Sequence, residues 1–203
     1  NIISGRLYLG LAYLAAVLDK EGHEIQIFNG ETFFKKISNK GEKVVIDEET
    51  YLKNYNPDHE VYKEIMNATK EFGPDIVGIS FMTANSASGY YLAEMLKSYN
   101  PKLPVIAGGT HPTLLPEEPL KKAPFDYVIR GEGEETIVEL INTIKNKKDI
   151  SKVPGISYLK DGKIIHNPNR PFVQELDRLP FPAFHLMKDA QKNLYACTGI
   201  TTA

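Results

Sequence analysis

Two segments of this chain share one build, and together they constrain its fold more than any other feature. VIAGGTHPT (105 to 113) runs from apolar residues straight into Gly108-Gly109 and then a polar loop. DIVGISFMTANS (75 to 86) has the same form earlier in the chain. Each reads as a buried parallel strand ending at a ligand, because glycines without Cβ atoms let something bulky and flat approach the backbone. Two such strand ends in one sheet define a crevice. Open α/β sheets bind ligands in crevices at the strand carboxyl ends.

The remaining pattern alternates helix and strand. Leu7, Leu11, Leu14, Ala15 and Leu18 recur at helical spacing and Gly22 ends that helix. HEIQIFN (23 to 29) alternates as a strand does. Residues 31 to 57 are charged and break the pattern, which marks an insertion. A helix over 58 to 72 takes Asp58 as its N-cap and stops at Gly73-Pro74. IVGIS (76 to 80) is apolar enough for a strand covered on both faces, and Asn85 or Ser86 caps a helix over 87 to 99. After VIAGG come a short helical segment (114 to 122), the strand DYVIRG (126 to 131) and a helix from Glu134 to Asn146. This β/α alternation predicts an α/β fold with a doubly wound, mainly parallel sheet and right-handed crossovers. The usual first strand is expected before Asn1, with Ile2-Ile3 as its remnant.

The character changes after residue 150. GISYLKDGKIIHN (155 to 167) is a hairpin turning at Asp161-Gly162, and the proline-bearing stretch after it reads as an extended linker. The expected organisation is therefore one domain over 1–149 and a hairpin with linker over 150–203.

Composition narrows the function classes. The net charge of −2 offers no basic surface for nucleic acid or an anionic membrane. No apolar run approaches the ~20 residues of a membrane span, and the N-terminus has no signal-peptide layout. The single cysteine, Cys197, excludes an internal disulfide framework and a multi-cysteine metal site, so a cytoplasmic setting is expected. Gly-x-Ser-x-Gly is absent, His59, His166 and His185 have no partner at ligand spacing, and no catalytic or metal-binding residue is assigned.

Four constellations can meet a ligand. Ser80, Phe81, Met82 and Thr83 lie between a strand and a helix start, where hydroxyls and backbone N–H groups are available; Thr83, Asn85 and Ser86 could equally serve as helix caps. Gly108, Gly109, Thr110 and His111 follow the next strand, although a tight turn with a surface histidine would look the same. Gly131, Glu132 and Gly133 place a carboxylate between two turning glycines, to accept from a ligand or a neighbouring domain, or simply to start a helix. Arg6, Leu7, Tyr8 and Gly10 precede the first helix and should reach the same crevice.

Taken in order, LGLAYLAAVLDKEGHEI (9 to 25), DIVGISFMTANS, VIAGGTHPT, DYVIRGEGEET (126 to 136), VPGISYLKDGKII (153 to 165) and LDRLPFPAF (176 to 184) resemble the cobalamin-binding domain that precedes a radical S-adenosylmethionine (SAM) domain. RGEGEE with LPFPAF is most similar to the subfamily holding the anaerobic magnesium-protoporphyrin monomethyl ester cyclases and many methyltransferases. The resemblance implies a Rossmann- or flavodoxin-like fold that binds cobalamin (B12). Ser80 and Thr83 match the family's tail-binding residues, and Gly108 and Gly109 match the glycines beside the nucleotide base.

Two departures qualify it. The family's Asp-x-His-x-x-Gly loop, whose His ligates cobalt, aligns with Gly5, Leu7 and Gly10, so no imidazole stands at the ligand position. The resemblance thus implies cobalamin with its tail in the sheet, no His lower ligand, and Arg6, Leu7 or Tyr8 beneath the corrin. The Cys-x-x-x-Cys-x-x-Cys of the iron–sulfur cluster is also absent. The chain is expected to be a piece of a longer methyltransferase or cyclase, cut before that loop and not catalytic by itself. The [4Fe-4S] cluster and SAM would belong to a downstream radical SAM barrel, its partner in cis. A non-catalytic interaction domain and a flavodoxin-like domain binding FMN or a nucleotide are the alternatives.

Overall fold

A computed structural model describes residues 9–28 and 60–186. Arg6, Leu7, Tyr8, the insertion at 31–57, Asp58 and Cys197 lie outside the described residues. The described chain divides into two compact units, one of residues 60–174 and one of residues 9–28 with 175–186.

The smaller unit is built on helix α1 (Leu9–Lys20). Its helical spacing is realised, but the buried residues are Ala12, Ala15, Ala16 and Val17 rather than the leucines. Small side chains win there because the returning chain packs close: Ala183 N–H donates to the Ala12 carbonyl at 3.0 Å, and Ala183 itself is buried. Gly22, at φ +81°, ends the helix. Residues 23–28 keep the expected alternation of burial, with Ile25 and Ile27 turned to the alanine stripe. They form no strand ladder among the described residues, so the strand expectation is corrected to an extended segment. Alternation reports which side is buried and does not require a neighbouring strand.

The larger unit holds a five-stranded sheet with the spatial order β1-β2-β3-β4-β5. Its strands are β1 (Val77–Ser80), β2 (Val105–Gly108), β3 (Tyr127–Ile129), β4 (Ile156–Lys160) and β5 (Lys163–His166). The first three are parallel neighbours, with Ser80 opposite Gly108 and Ala107 opposite Val128. β4 runs antiparallel to both β3 and β5, so the hairpin extends the same sheet. The sheet is therefore mixed, with four strands pointing one way. Asp161 (φ 50°) and Gly162 (φ 73°) take the left-handed conformations of a tight hairpin turn.

Helices α2 (Glu60–Phe72), α3 (Ser86–Tyr99), α4 (Thr110–Leu114), α5 (Glu117–Lys122) and α6 (Glu134–Lys145) complete this unit. Met66, Ala93, Leu96, Val105, Ala107, Phe125 and Val128 form its central core. Tyr62 meets Tyr91 edge-on at 5.0 Å, joining α2 to α3.

Three local expectations are corrected. β1 is half-buried at Val77 and Ile79 but exposed at Gly78 and Ser80, so it is not covered on both faces. The polar stretch after Gly109 is helix α4, not a loop, and Pro112 is tolerated in its first turn. Neither Asn85 nor Ser86 caps α3 with its side chain. Asn85 Oδ1 instead accepts from the Met82 N–H at 2.7 Å, and Ser86 Oγ donates to the Thr83 carbonyl at 3.0 Å. Both side chains fold back to shape the 80–86 turn.

Candidate functional site at the strand carboxyl ends

The carboxyl ends of β1, β2 and β3 are adjacent, which brings three of the four constellations to one edge of the sheet. Phe81 N–H donates to the Gly108 carbonyl at 3.0 Å, and His111 N–H to the Phe81 carbonyl at 3.3 Å. The Gly131 N–H reaches Thr113 Oγ1 at 3.1 Å. These bonds tie the loops after the three strands together. Gly10 lies in α1, in the other unit.

The glycine pair divides into two roles. Gly109 has φ +97°, and a Cβ there would lie 2.8 Å from the Phe81 carbonyl and 2.9 Å from Ser80 Oγ. The close approach inferred at this position is thus made by the end of β1. A Cβ on Gly108 would meet nothing within 4 Å. Gly108, with the exposed Ser80 opposite it, is where a ligand has room.

Phe81 turns its side chain into the core, within 6 Å of the rings of Tyr90, His111 and Phe125. Gly89 makes this possible, since a Cβ there would lie 2.8 Å from the Phe81 ring. Met82, Thr83 and Thr110 are exposed beside it.

His111 is not a surface residue: it is only 2% exposed. Its Nδ1 lies 3.1 Å from Thr83 Oγ1, its Nε2 2.9 Å from the Tyr90 hydroxyl, and Glu118 approaches Nε2 at 3.6 Å. Burial pushes the Tyr90 hydroxyl up to about 12, with the Glu118 charge adding to the shift. Both imidazole nitrogens are therefore engaged inside the fold.

The third constellation anchors chain. Glu132 Oε2 accepts the Val173 N–H at 2.7 Å, and the guanidinium of Arg170 grips Thr136 Oγ1 at 2.9 Å and pairs with Glu135 and Glu139 on α6. Arg130, the residue that opens this constellation, fastens chain as well. It donates to Asn169 Oδ1 at 2.6 Å, to the Ile156 carbonyl at 3.2 Å and to the Asn167 carbonyl, while its Nε is buried with no partner. That burial lowers its pKa below the usual guanidinium value. Glu132→Ala is expected to speed chymotryptic cleavage at Phe172, a side chain 70% exposed, while shifting global stability by no more than ~1 kcal/mol. Cleavage at the unmodified rate would show that Arg170 holds residues 170–173 by itself.

Away from this edge, His166 does have partners: Ser157 Oγ at 2.8 Å and Glu117 at 3.4 Å. The order resembles a hydrolytic triad, but Ser157 is wholly buried and no substrate can reach it. Among the described residues no group of His, Cys, Asp and Glu could hold a metal ion, and no helix is long and apolar enough to cross a membrane.

Comparison with known proteins identifies the domain. The model of the B12 binding domain family matches residues 8–141. An uncharacterized methyltransferase of Pyrococcus horikoshii is 32% identical over 180 residues, covering 88% of this chain and 34% of that protein. The cytidylyl-2-hydroxyethylphosphonate methyltransferase of Streptomyces wedmorensis is 30% identical over 199 residues, 87% of this chain and 36% of that protein. The chain thus spans about a third of the length of these relatives. A cobalamin-dependent radical SAM methyltransferase and anaerobic magnesium-protoporphyrin IX monomethyl ester cyclases are also similar to it. In fold it is similar to the cobalamin-dependent SAM radical enzyme OxsB, solved without cofactor, with TM-score 0.64 and 20% identity over 95% of this chain and 23% of the other. With three strand ends converging on one open edge and the family model matching most of its length, the chain belongs to the B12-binding domain family and is similar to the B12-binding domains of B12-dependent radical SAM enzymes.

Proposed function

We propose that this chain binds cobalamin with the nucleotide tail along the ends of β1 and β2, flanked by Ser80, Thr83 and Gly108, and with no histidine beneath the cobalt. The observation that carries the reading is the open space over Gly108 next to an exposed hydroxyl, while the glycine after it, Gly109, is closed off by the Phe81 backbone. The donor set agrees with a missing lower ligand. Leu7 stands at the family's histidine position, and His111, the imidazole nearest the site in sequence, has both nitrogens engaged. The residues present therefore fit the group in this mode of binding. The chain's own part is to hold and orient the cofactor; bound cobalamin would supply methyl-carrying or electron-transfer chemistry.

In the longer protein, residues 1–149 would form the cobalamin domain and 150–203 the hairpin and linker leading to a radical SAM barrel in cis. That barrel would carry the [4Fe-4S] cluster and SAM for methyl transfer or a cyclase reaction. Relatives of both kinds support this reading.

Protein mixed with hydroxocobalamin is expected to carry a corrin absorbance through gel filtration, with the cobalt spectrum of a base-off form. A protein peak without corrin would overturn the reading. Retention with an imidazole-ligated spectrum would overturn only the missing-histidine part of it.

A further inference from the structure

His111 holds the loop after β1 by two bonds of different kinds. Its backbone N–H, in the first turn of α4, donates to the Phe81 carbonyl at 3.3 Å. Its ring nitrogen Nδ1 lies 3.1 Å from Thr83 Oγ1, two residues further along that loop. The ring is fixed from its other side as well. It packs against the rings of Phe81 at 5.7 Å and Tyr90 at 6.3 Å, and its Nε2 lies 2.9 Å from the Tyr90 hydroxyl. Glu118 stands beyond, 3.6 Å from Nε2. At 2% exposure, the imidazole is out of reach of any ligand. Thr83 is the opposite case: it is exposed, in the single helical turn Thr83–Asn85. A threonine in such a place can turn among the staggered rotamers of its side chain, and the bond to Nδ1 selects one of them. A hydroxyl has a proton and two lone pairs, so one bond to Nδ1 leaves it able to make a second. That holds whichever of the two partners carries the shared proton.

We propose that His111 is a positioning residue that acts on the cofactor through Thr83, by holding the Thr83 hydroxyl in the rotamer that presents it to the ligand. The side chain is then ordered when the domain folds rather than when the ligand arrives, and a pre-ordered contact costs less to make. This rests on the cobalamin reading and deepens it. It also separates two residues that the sequence places in the same ligand crevice: Thr83 meets the ligand, and His111 sets Thr83.

Two substitutions separate the two ring nitrogens. An asparagine carries its amide near the place of Nδ1 and a glutamine near the place of Nε2, and an amide can donate or accept at either. His111→Gln therefore keeps a partner for Tyr90 and loses Thr83, while His111→Asn does the reverse. In titrations followed by corrin absorbance, Thr83→Val is expected to weaken hydroxocobalamin binding about fivefold, the loss of one neutral hydrogen bond, and His111→Gln about threefold, with His111→Asn recovering most of that loss. With Thr83→Val already in place, His111→Gln is expected to cost nothing further, because no hydroxyl remains to be held. Equal losses in His111→Gln and His111→Asn would overturn the proposal and leave a histidine that only fills the core. So would a His111→Gln loss that persists beside Thr83→Val, or unchanged affinity in Thr83→Val. Three-bond couplings to the Thr83 methyl carbon, measured without cofactor, read the rotamer itself. One rotamer is expected in the wild type and averaging in His111→Gln; averaging in the wild type would overturn the proposal without any variant having to fold. A wild-type protein with Thr83 fixed that fails to bind hydroxocobalamin would overturn the cofactor reading instead.

Discussion

Gly108→Val is expected to abolish cobalamin retention while leaving stability nearly unchanged, and Gly109→Val is expected to destabilise the fold severely. The two glycines are adjacent in sequence and would be treated alike by any reading of the pair as a unit. At Gly108 an added side chain meets open space, and β2 is a strand, where a β-branched residue is at ease. The valine would stand where the ligand is proposed to lie. At Gly109 the backbone sits at φ +97°, which valine cannot adopt without strain, and the new Cβ would collide with the Phe81 carbonyl, a backbone atom that cannot swing aside. Strain and overlap together are expected to cost ~3 kcal/mol or more, a large part of the ~5–15 kcal/mol that holds a domain together. Urea unfolding followed by circular dichroism, alongside corrin absorbance after gel filtration, separates the outcomes. A Gly108→Val protein that still retains cobalamin would place the ligand elsewhere.

Arg130→Ala is the second change with a large expected effect, and it lies outside the cofactor contacts. The guanidinium spans β4, Asn167 and Asn169, and so ties the end of the hairpin to the end of β3. Removing it leaves two backbone carbonyls and one side-chain amide without their charged donor. A charge-assisted bond to a partly buried acceptor contributes ~1.5–3 kcal/mol, so a loss of ~2–4 kcal/mol is expected. Arg130→Lys should recover less than half, because an ammonium cannot fork across acceptors on β4 and on the segment after β5. The unfolding midpoint measures both. An alanine variant as stable as the wild type would mean that the sheet pairing of β3 with β4 holds this region unaided. The RGEGEE segment then divides by role: Arg130 and Glu132 fasten chain, and Gly131, at φ +75°, makes the turn between them.

Much of the fold was legible in the sequence because the signals were local. Apolar runs ending in glycine marked β1 and β2, Asp161-Gly162 marked the hairpin turn, and carboxylates in the first turn marked α6. All three strand-end constellations of the larger unit were found at one edge of the sheet. The misreadings share one cause. Residues 23–28 alternate as a strand does, yet a ladder needs a partner that periodicity does not supply. THPT has the composition of a loop, and polarity says nothing of the helix a close-packed glycine can start. The leucines of α1 outrank its alanines in hydrophobicity, but the buried stripe went to the small residues because the returning chain approaches closely there.

The sequence alone determined the class of the domain, its ligand family and the absence of a histidine at the position of Leu7, since these depend on residue types in a fixed order. The tertiary structure alone decided which glycine faces a ligand and which faces Phe81, that His111 is buried rather than exposed, and that Glu132 accepts from Val173. Each of those depends on an atom far away in the chain, and residue order does not record the distance between atoms that only folding brings together.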